Sequence, residues 1–89
     1  MRAILTVVGK DTVGIMAKVS ALCAENNVNI VDVTQTVMQD VFCMIMLCQI
    51  DNIKNDFNSF SDAAAALGEA NELSIHVMHE DIFNSMHKI

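Results

Sequence analysis

The stretch from Thr6 to Ile15, TVVGKDTVGI, constrains the fold of this chain most. An apolar, β-branched run breaks at Gly9, crosses three polar residues and resumes after Gly14 with helical spacing. This pattern predicts a strand, a tight loop and the first turn of a helix. A helix N-terminus has unpaired N–H groups and a partial positive charge, so we expect this loop to suit a small anion such as a carboxylate.

The composition predicts one compact domain spanning residues 1–89. At 89 residues, the chain is well below the length at which proteins divide into domains. Its 53% hydrophobic and 18% charged residues fit one compact domain. Its formal net charge of −6 argues against nucleic acids as partners, because they select basic surfaces. No apolar run approaches the ~20 residues of a membrane span, and the N-terminal residues lack the pattern of a signal peptide. We therefore expect a soluble, cytoplasmic protein that acts without a membrane.

Periodicity divides the chain into four strands and three helices. The strands are predicted at 2–8, 28–38, 41–50 and 72–78. The first helix is predicted from Thr12 or Val13 to about Asn26, with Thr12 as its N-cap. The second helix has Gly68 near its C-terminus and buries a stripe made of Phe57, Phe60, Ala64 and Leu67. A short last helix is predicted at 81–89.

This order predicts an α+β, ferredoxin-like βαββαβ fold, with two helices on one face of a four-stranded antiparallel sheet and a short C-terminal helix added. The first and third strands become central neighbours. The third strand is apolar on both sides, as is typical of a central strand. We expect its Phe42, Met44 and Met46 side, with Met78, to form an apolar patch on the open face, covered by the last helix or by a second subunit. Exposed edge strands offer another route to association, across a two-fold axis.

The cysteines and histidines do not predict a metal site. Cys23 lies in an apolar stretch like the other two cysteines, and the three lack the spacing of a disulfide scaffold or a zinc ribbon. Cys43 and Cys48 are five apart on one strand, so they face opposite sides and cannot pair with each other. His76 and His79 are three apart, and on a strand such residues also point to opposite faces. We interpret both histidines as surface residues.

No pattern in the sequence predicts catalysis. It contains no recognisable Ser/His/Asp set, phosphate-binding loop or pair of carboxylates on rigid elements. A domain of this size also leaves little room for an enclosed active-site cavity. We therefore predict a protein that is not an enzyme and uses no cofactor.

The first loop and the segments after it resemble the ACT domain family. The likeness rests on Gly9-Lys10-Asp11-Thr12-Val13-Gly14-Ile15, on Val19-Ser20 with Leu22, and on Asn27-Val28-Asn29-Ile30 with Asp32 and Gln35-Thr36-Val37. The chain looks most similar to small stand-alone ACT proteins, with a weaker likeness to regulators of the glycine cleavage system. The resemblance implies a module that binds an amino acid or a similar small metabolite in a crevice where two ACT domains meet.

The resemblance also implies a set of ligand-binding residues. In amino-acid-binding ACT domains the first loop has a polar residue three positions before its closing glycine, which matches Asp11 and Gly14. An asparagine near the start of the second strand matches Asn29. The chain departs from the family pattern at Gly9, Val13 and Asp11, where histidine, proline and asparagine respectively occur in other members. The predicted set is Gly9, Lys10, Asp11, Thr12, Val13, Gly14, Ile15 and Asn29.

Two interpretations stay open. The loop from Gly9 to Gly14 is also compatible with an ordinary strand-to-helix turn, and Asn29 with a turn residue at positive φ. The chain is then either a regulatory or sensor protein, a homodimer or higher homo-oligomer that passes the state of its ligand to a protein partner, or a structural dimerisation module without a ligand.

Overall fold

A computed structural model describes residues 1–10 and 12–86, with only the backbone of Met86. Its elements are β1 (Arg2–Lys10), α1 (Ile15–Glu25), β2 (Asn29–Met38), β3 (Val41–Gln49), α2 (Phe57–Ala70), β4 (Leu73–His79) and α3 (Glu80–Met86). The predicted order of strands and helices is confirmed. The last predicted helix is confirmed as far as Met86, and the remainder of its range, 87–89, lies outside the described residues.

The four strands form one antiparallel sheet in the order β2-β3-β1-β4, so the predicted ferredoxin-like architecture is confirmed. The central ladder joins β1 to β3 along all nine residues of β1, from Arg2 opposite Gln49 to Lys10 opposite Val41. The edge strands are β2 and β4. β1 extends two residues beyond its predicted end, because Gly9 and Lys10 continue the ladder.

The hydrophobic core lies between the sheet and the first two helices. Burial of each large apolar side chain there stabilises the fold by about 1.5–3 kcal/mol. The core residues of the central strands include Ala3, Leu5, Val7, Met44, Met46 and Cys48, and those of α1 and α2 are Ile15, Val19, Cys23, Phe60 and Ala64. The predicted stripe of α2 is confirmed, with Phe57 and Leu67 partly buried at its margin.

The alternation on β3 is confirmed, but the predicted direction of its two sides is wrong. Met44 and Met46 are 1% and 0% exposed beneath the helices, with Phe42 beside them, whereas Ile45 on the open side is 45% exposed. Leu5 of β1 stands opposite Met46, so the larger side chains of both central strands fill the space under the helices. Both sides of β3 are apolar, so alternation alone does not show which side faces the helices.

α3 covers one corner of the open face. Cover by the last helix is one of the two arrangements predicted for this face. The helix contacts β1 and β4, and Arg2 Nη2 donates a hydrogen bond to Glu80 Oε1 at 2.7 Å. Ile4, which stands opposite Met78 on this corner, is buried at 6% exposure. Val8 and Ile45 lie farther along the same face and stay exposed.

The N-cap of α1 differs from the prediction. The helix begins at Ile15, three residues after Thr12, and its N-cap is Gly14 in the left-handed conformation. Thr12 is therefore not the N-cap, because the sharp turn at Gly14 delays the start of the helix. The predicted end is confirmed, since Asn26 is the C-cap and Asn27 adopts a φ of 58°.

α2 begins at a side-chain cap. Asp56 has extended backbone, and its Oδ1 accepts a hydrogen bond from the backbone N–H of Ser59 at 2.7 Å. Hydrogen bonding from the Ser59 side chain, and then from this N–H, lowers the pKa of Asp56, because such bonds are stronger to the ionised carboxylate. In the described part of the chain no helix is long and apolar enough to span a membrane.

β2 carries a bulge near its start. Ile30 stands opposite Cys48 and Asp32 opposite the next residue of β3, Leu47, so Val31 has no partner in the register. From Asp32 onward the side chains of β2 alternate, with Val33 towards the core and Thr34 away from it. Val31 departs from this alternation, because the bulge inserts it between the two sides.

The packing of α2 on β4 depends on Gly68. A Cβ atom on Gly68 would lie 2.6 Å from the backbone oxygen of Leu73, closer than such atoms approach. Glycine to alanine usually stabilises a helix interior by up to about 1 kcal/mol. Here we predict that Gly68→Ala lowers the free energy of unfolding by about 1–3 kcal/mol, because the clash is with backbone that cannot turn aside.

Chemical denaturation followed by circular dichroism measures this change. Glu69→Ala, at the exposed neighbouring position, is the control and should stay within about 0.5 kcal/mol of the parent protein. A Gly68→Ala protein as stable as the control would show that α2 does not approach β4 so closely.

Candidate ligand-binding site

A glycine with a packing role lies in β1, just before the loop between β1 and α1. A Cβ atom on Gly9 would lie 2.5 Å from Leu73 Cδ2 and 3.1 Å from the backbone oxygen of Glu72. Glycine at this position therefore allows β1 to run close beside β4. Lys10 follows as the last residue of β1 and is exposed.

Gly14 ends the loop and leaves the first turn of α1 accessible. Its φ is 90°, a conformation that favours glycine, and nothing lies within 4 Å of the position of a Cβ atom. The first hydrogen bond of the helix runs from the N–H of Lys18 to the oxygen of Gly14 at 3.0 Å. No side chain of the described residues caps this end, so none of them occupies the N–H groups of residues 15–17.

The remaining loop residues lie at the surface. Thr12 is exposed, and Val13 is 99% exposed, the largest value among the exposed large hydrophobic residues. Ile15 is buried, so only its backbone can take part in binding. Asp11 lies outside the described residues, and its role in ligand binding stays a prediction.

Asn29 lies at the opposite end of the sheet from the loop. It stands opposite Gln49, which in turn stands opposite Arg2, whereas the loop follows Lys10. Eight residues of strand separate Arg2 from Lys10, a distance of about 26 Å at the usual rise. Within one chain, therefore, the described loop residues lie together and Asn29 lies apart from them.

Asn29 borders a shallow hollow of about 360 Å³ where α1 ends and β2 begins. Its lining also includes Asn27 and Asn52, which sequence patterns do not single out as site residues. Asn27 Nδ2 donates a hydrogen bond to the backbone oxygen of Asn52 at 2.8 Å. The interpretation of Asn29 as a turn residue at positive φ is wrong, because that conformation belongs to Asn27. The pair Asn26-Asn27 is visible in the sequence, but it predicts the end of a helix and not a binding site.

The first turn of α1 carries no negative charge of its own, although the loop before it contains the carboxylate of Asp11. The first turn of α1 contains no acidic residue, so no carboxylate of that turn satisfies the partial positive charge of the helix end. Lys10 adds a full positive charge on the strand that leads into the loop. Lys18, one turn into the helix, donates a hydrogen bond to Asn71 Oδ1 at 2.7 Å and ties α1 to the C-cap of α2.

The two histidines point to opposite faces, as predicted. His76 stands opposite Thr6 on the open face, and its Nε2 lies 3.0 Å from Ser74 Oγ. His79 faces the helices, where its ring stacks on Phe57 with the ring centres 4.2 Å apart. Within the described residues, no three or more histidine, cysteine, aspartate or glutamate side chains are arranged to hold a metal ion.

Comparison with known proteins assigns the family. The family model described as ACT domain matches residues 2–78, from β1 almost to the end of β4. The chain belongs to the ACT domain family. This ACT domain is 51% identical to a UPF0237 protein of Listeria monocytogenes over 89 residues, the full length of both chains. The predicted resemblance is thereby confirmed.

Solved structures agree with this assignment. An ACT domain protein from Streptococcus pneumoniae matches the ACT domain with a TM-score of 0.81 and 38% identity, over 93% of each chain. A putative glycine cleavage system transcriptional repressor matches with a TM-score of 0.72, over 85% of this chain and 43% of that one. At 22% identity the second match shows the fold alone.

The left-handed conformation of Gly14 generates a test of the loop. We predict that Gly14→Ala lowers the free energy of unfolding by about 1–2 kcal/mol, because an L-residue is strained at this φ although it meets no neighbour. Gly14→Asn should cost less, since asparagine tolerates this region better. Urea denaturation measures both variants. If alanine and asparagine were both neutral, Gly14 would not hold the turn in this conformation.

Proposed function

We propose that this ACT domain is a non-catalytic sensor that binds an amino acid or a similar small zwitterion between two copies of the chain. The observation that carries the proposal is the first turn of α1, whose N–H groups no side chain caps among the described residues. Backbone donors at a positive helix end, with Lys10 on the preceding strand, are suited to a carboxylate. Family membership supports the same function, since ACT domains typically bind small-molecule regulators.

The edge strand β2 can pair with a second copy of the chain, which would then form the other side of the site. β2 is ten residues long, and within the described part of the chain it pairs with β3 alone. A second chain that adds its own β2 in antiparallel orientation extends the sheet across a two-fold axis. The start of one β2 then lies beside the end of the other, so Asn29 of the partner subunit comes to the end of the sheet that carries the loop.

The spacing of strands fits a small ligand at this seam. β1 is separated from the partner's β2 by three strand intervals, about 14 Å in all. α1 contacts β2, so the helix passes over part of that interval. An amino acid and the side chains that hold it are long enough to bridge the rest. This arrangement supports one site formed by the loop of one chain and by Asn29 of the other.

Most of the predicted residues then have a chemical role. The N–H groups at the start of α1 and the Lys10 ammonium bind the ligand's carboxylate. Asp11 accepts hydrogen bonds from its α-ammonium group, and Asn29 of the partner subunit contributes its side-chain amide. Thr12 and Val13 cover the ligand. Ligand binding thus stabilises the contact between two chains in the cytoplasm, and a regulated protein partner recognises the changed dimer.

A thermal-shift screen of the common amino acids tests the proposed function. A ligand at one hundred times its dissociation constant stabilises the folded state by about 2.7 kcal/mol, which raises the midpoint of a domain of this size by roughly 10–20 °C. We expect such a shift with one or a few related amino acids. The absence of a shift with all of them would favour the structural dimerisation module instead.

Mixed dimers test whether two chains share each site. We predict that Asp11→Ala and Asn29→Ala each abolish the shift while the fold is retained, since Asn29 is exposed. When the two variants are refolded together, binding should partly return, because one site of each mixed dimer receives an intact loop and an intact Asn29. Calorimetric titration of the mixture measures the recovery. No recovery would place both residues in a site within one chain, or in none.

A charge at the middle of β2 tests the proposed contact between the β2 strands of two chains. Thr34 is exposed and lies next to the midpoint of the strand, so across a two-fold axis it neighbours its own copy. We predict that Thr34→Lys converts the dimer to a monomer, since like charges on paired strands repel. Sedimentation velocity measures the change.

The matched control is Ser74→Lys, which adds the same charge to an exposed residue of the other edge strand, β4. It should leave the dimer intact. Dissociation by Ser74→Lys but not by Thr34→Lys would move the interface to the other edge of the sheet.

A further inference from the structure

The outer edge of β4 is open to pairing with a further strand. β4 runs from Leu73 to His79 and, within the described residues, pairs with β1 alone. The strand contains no lysine, proline or bulge, which are the features that usually protect an edge from other chains. Alternate residues of an edge strand direct their backbone N–H and C=O groups outward, so β4 offers a row of hydrogen-bonding groups on its free side.

A hollow of about 550 Å³ reaches both faces of the sheet at this edge. On the side of the helices it is lined by Ile75 and by Ala65 of α2. On the open face it is lined by Ser74, His76 and Val8. A strand placed about 4.8 Å from β4 would lie between these two groups of residues and point its side chains alternately towards each.

α2 lies close to β4 but leaves the outer edge uncovered. A Cβ atom on Gly68 would lie 2.6 Å from the backbone oxygen of Leu73, so the helix packs directly on the start of the strand. Ala65, almost one turn earlier, is exposed and has only a methyl group as its side chain. This short side chain leaves room beside Ile75 for a side chain from another strand.

The rim of the hollow is acidic. Glu69 and Glu72 line it and are exposed, and in the described part of the chain no lysine or arginine lines it. Glu69 lies four residues after Ala65, on the same side of α2. Two carboxylates at the rim attract basic side chains and repel acidic ones. A second copy of β4 would bring the same acidic residues with it, so the charge favours a partner that supplies lysine or arginine.

We propose that the outer edge of β4 binds an extended, basic segment of a partner protein, which adds a fifth strand to the sheet. The backbone of the segment pairs with β4, an apolar side chain packs on Ala65 and Ile75, and a lysine or arginine reaches Glu69. This inference goes beyond the proposed function, because it requires neither an amino-acid ligand nor the contact through β2. The two edges of the sheet then have different partners.

Fluorescence anisotropy with a defined peptide tests the proposal on the full chain. The probe is a labelled peptide of sequence Lys-Val-Thr-Val-Lys-Val-Thr, whose β-branched residues favour an extended strand. The comparison peptide has glutamate in place of both lysines. We expect saturable binding of the basic peptide that weakens as salt is added, and no binding of the acidic peptide. Equal binding of the two peptides, or binding of neither, would overturn the proposal.

Reversal of one charge locates the site. Glu69→Lys should weaken binding of the basic peptide by roughly threefold to tenfold, because an attraction becomes a repulsion. The matched control is Glu25→Lys, the same change at an exposed position at the end of α1, and it should leave binding unchanged. Circular dichroism shows whether both variants are folded. Equal losses in the two would contradict a site at β4, since the net charge of −6 would then account for the attraction.

N-methylated probes test the strand pairing itself. The N–H groups of alternate residues in a strand point to the same edge, so only one set of the peptide's residues can pair with β4. One version of the basic peptide carries N-methyl groups on its valines, and the other carries them on its lysines and threonines. We expect one version to bind as the unmethylated peptide does and the other to lose binding. If both versions bind, or both fail, the peptide is not held as a strand and the proposal is wrong.

Discussion

The antiparallel ladder between β1 and β3 is the interaction on which the rest of the structure depends. Its nine residue pairs place the large side chains of both strands on one side, and the first two helices pack against that side. Because the ladder occupies both central strands, β2 and β4 become the edges. The loop between β1 and α1 then lies at the opposite end of the sheet from the start of β2. The geometry of the proposed site follows from this one pairing.

Most of the fold is predictable from the sequence, because local periodicity determines the elements and their order restricts the topology. The predictions that are wrong concern features that depend on residues outside the helix or strand concerned. β3 is apolar on both sides, so only packing in three dimensions selects Met44 and Met46 for the core and leaves Ile45 exposed. Thr12 has the chemistry of an N-cap, but the conformation of Gly14 moves the start of the helix past it.

The candidate site is only partly predictable for the same reason. Family resemblance selects the residues, yet only the register shows that Asn29 lies about 26 Å from the loop of its own chain. Contacts between distant residues, such as Asn27 with Asn52 or Lys18 with Asn71, leave no local pattern in the sequence. In the proposed function, one chain therefore carries two separate halves of the site, and association of two chains brings them together.

A crystal structure of the purified protein, grown with the amino acid that stabilises it, tests this account most directly. The account predicts density for the ligand at the start of α1, between Gly14 of one chain and Asn29 of the partner subunit, in a sheet continuous through both β2 strands. Ligand enclosed within a single chain, or a dimer that places Asn29 of the partner subunit away from the loop, would contradict it.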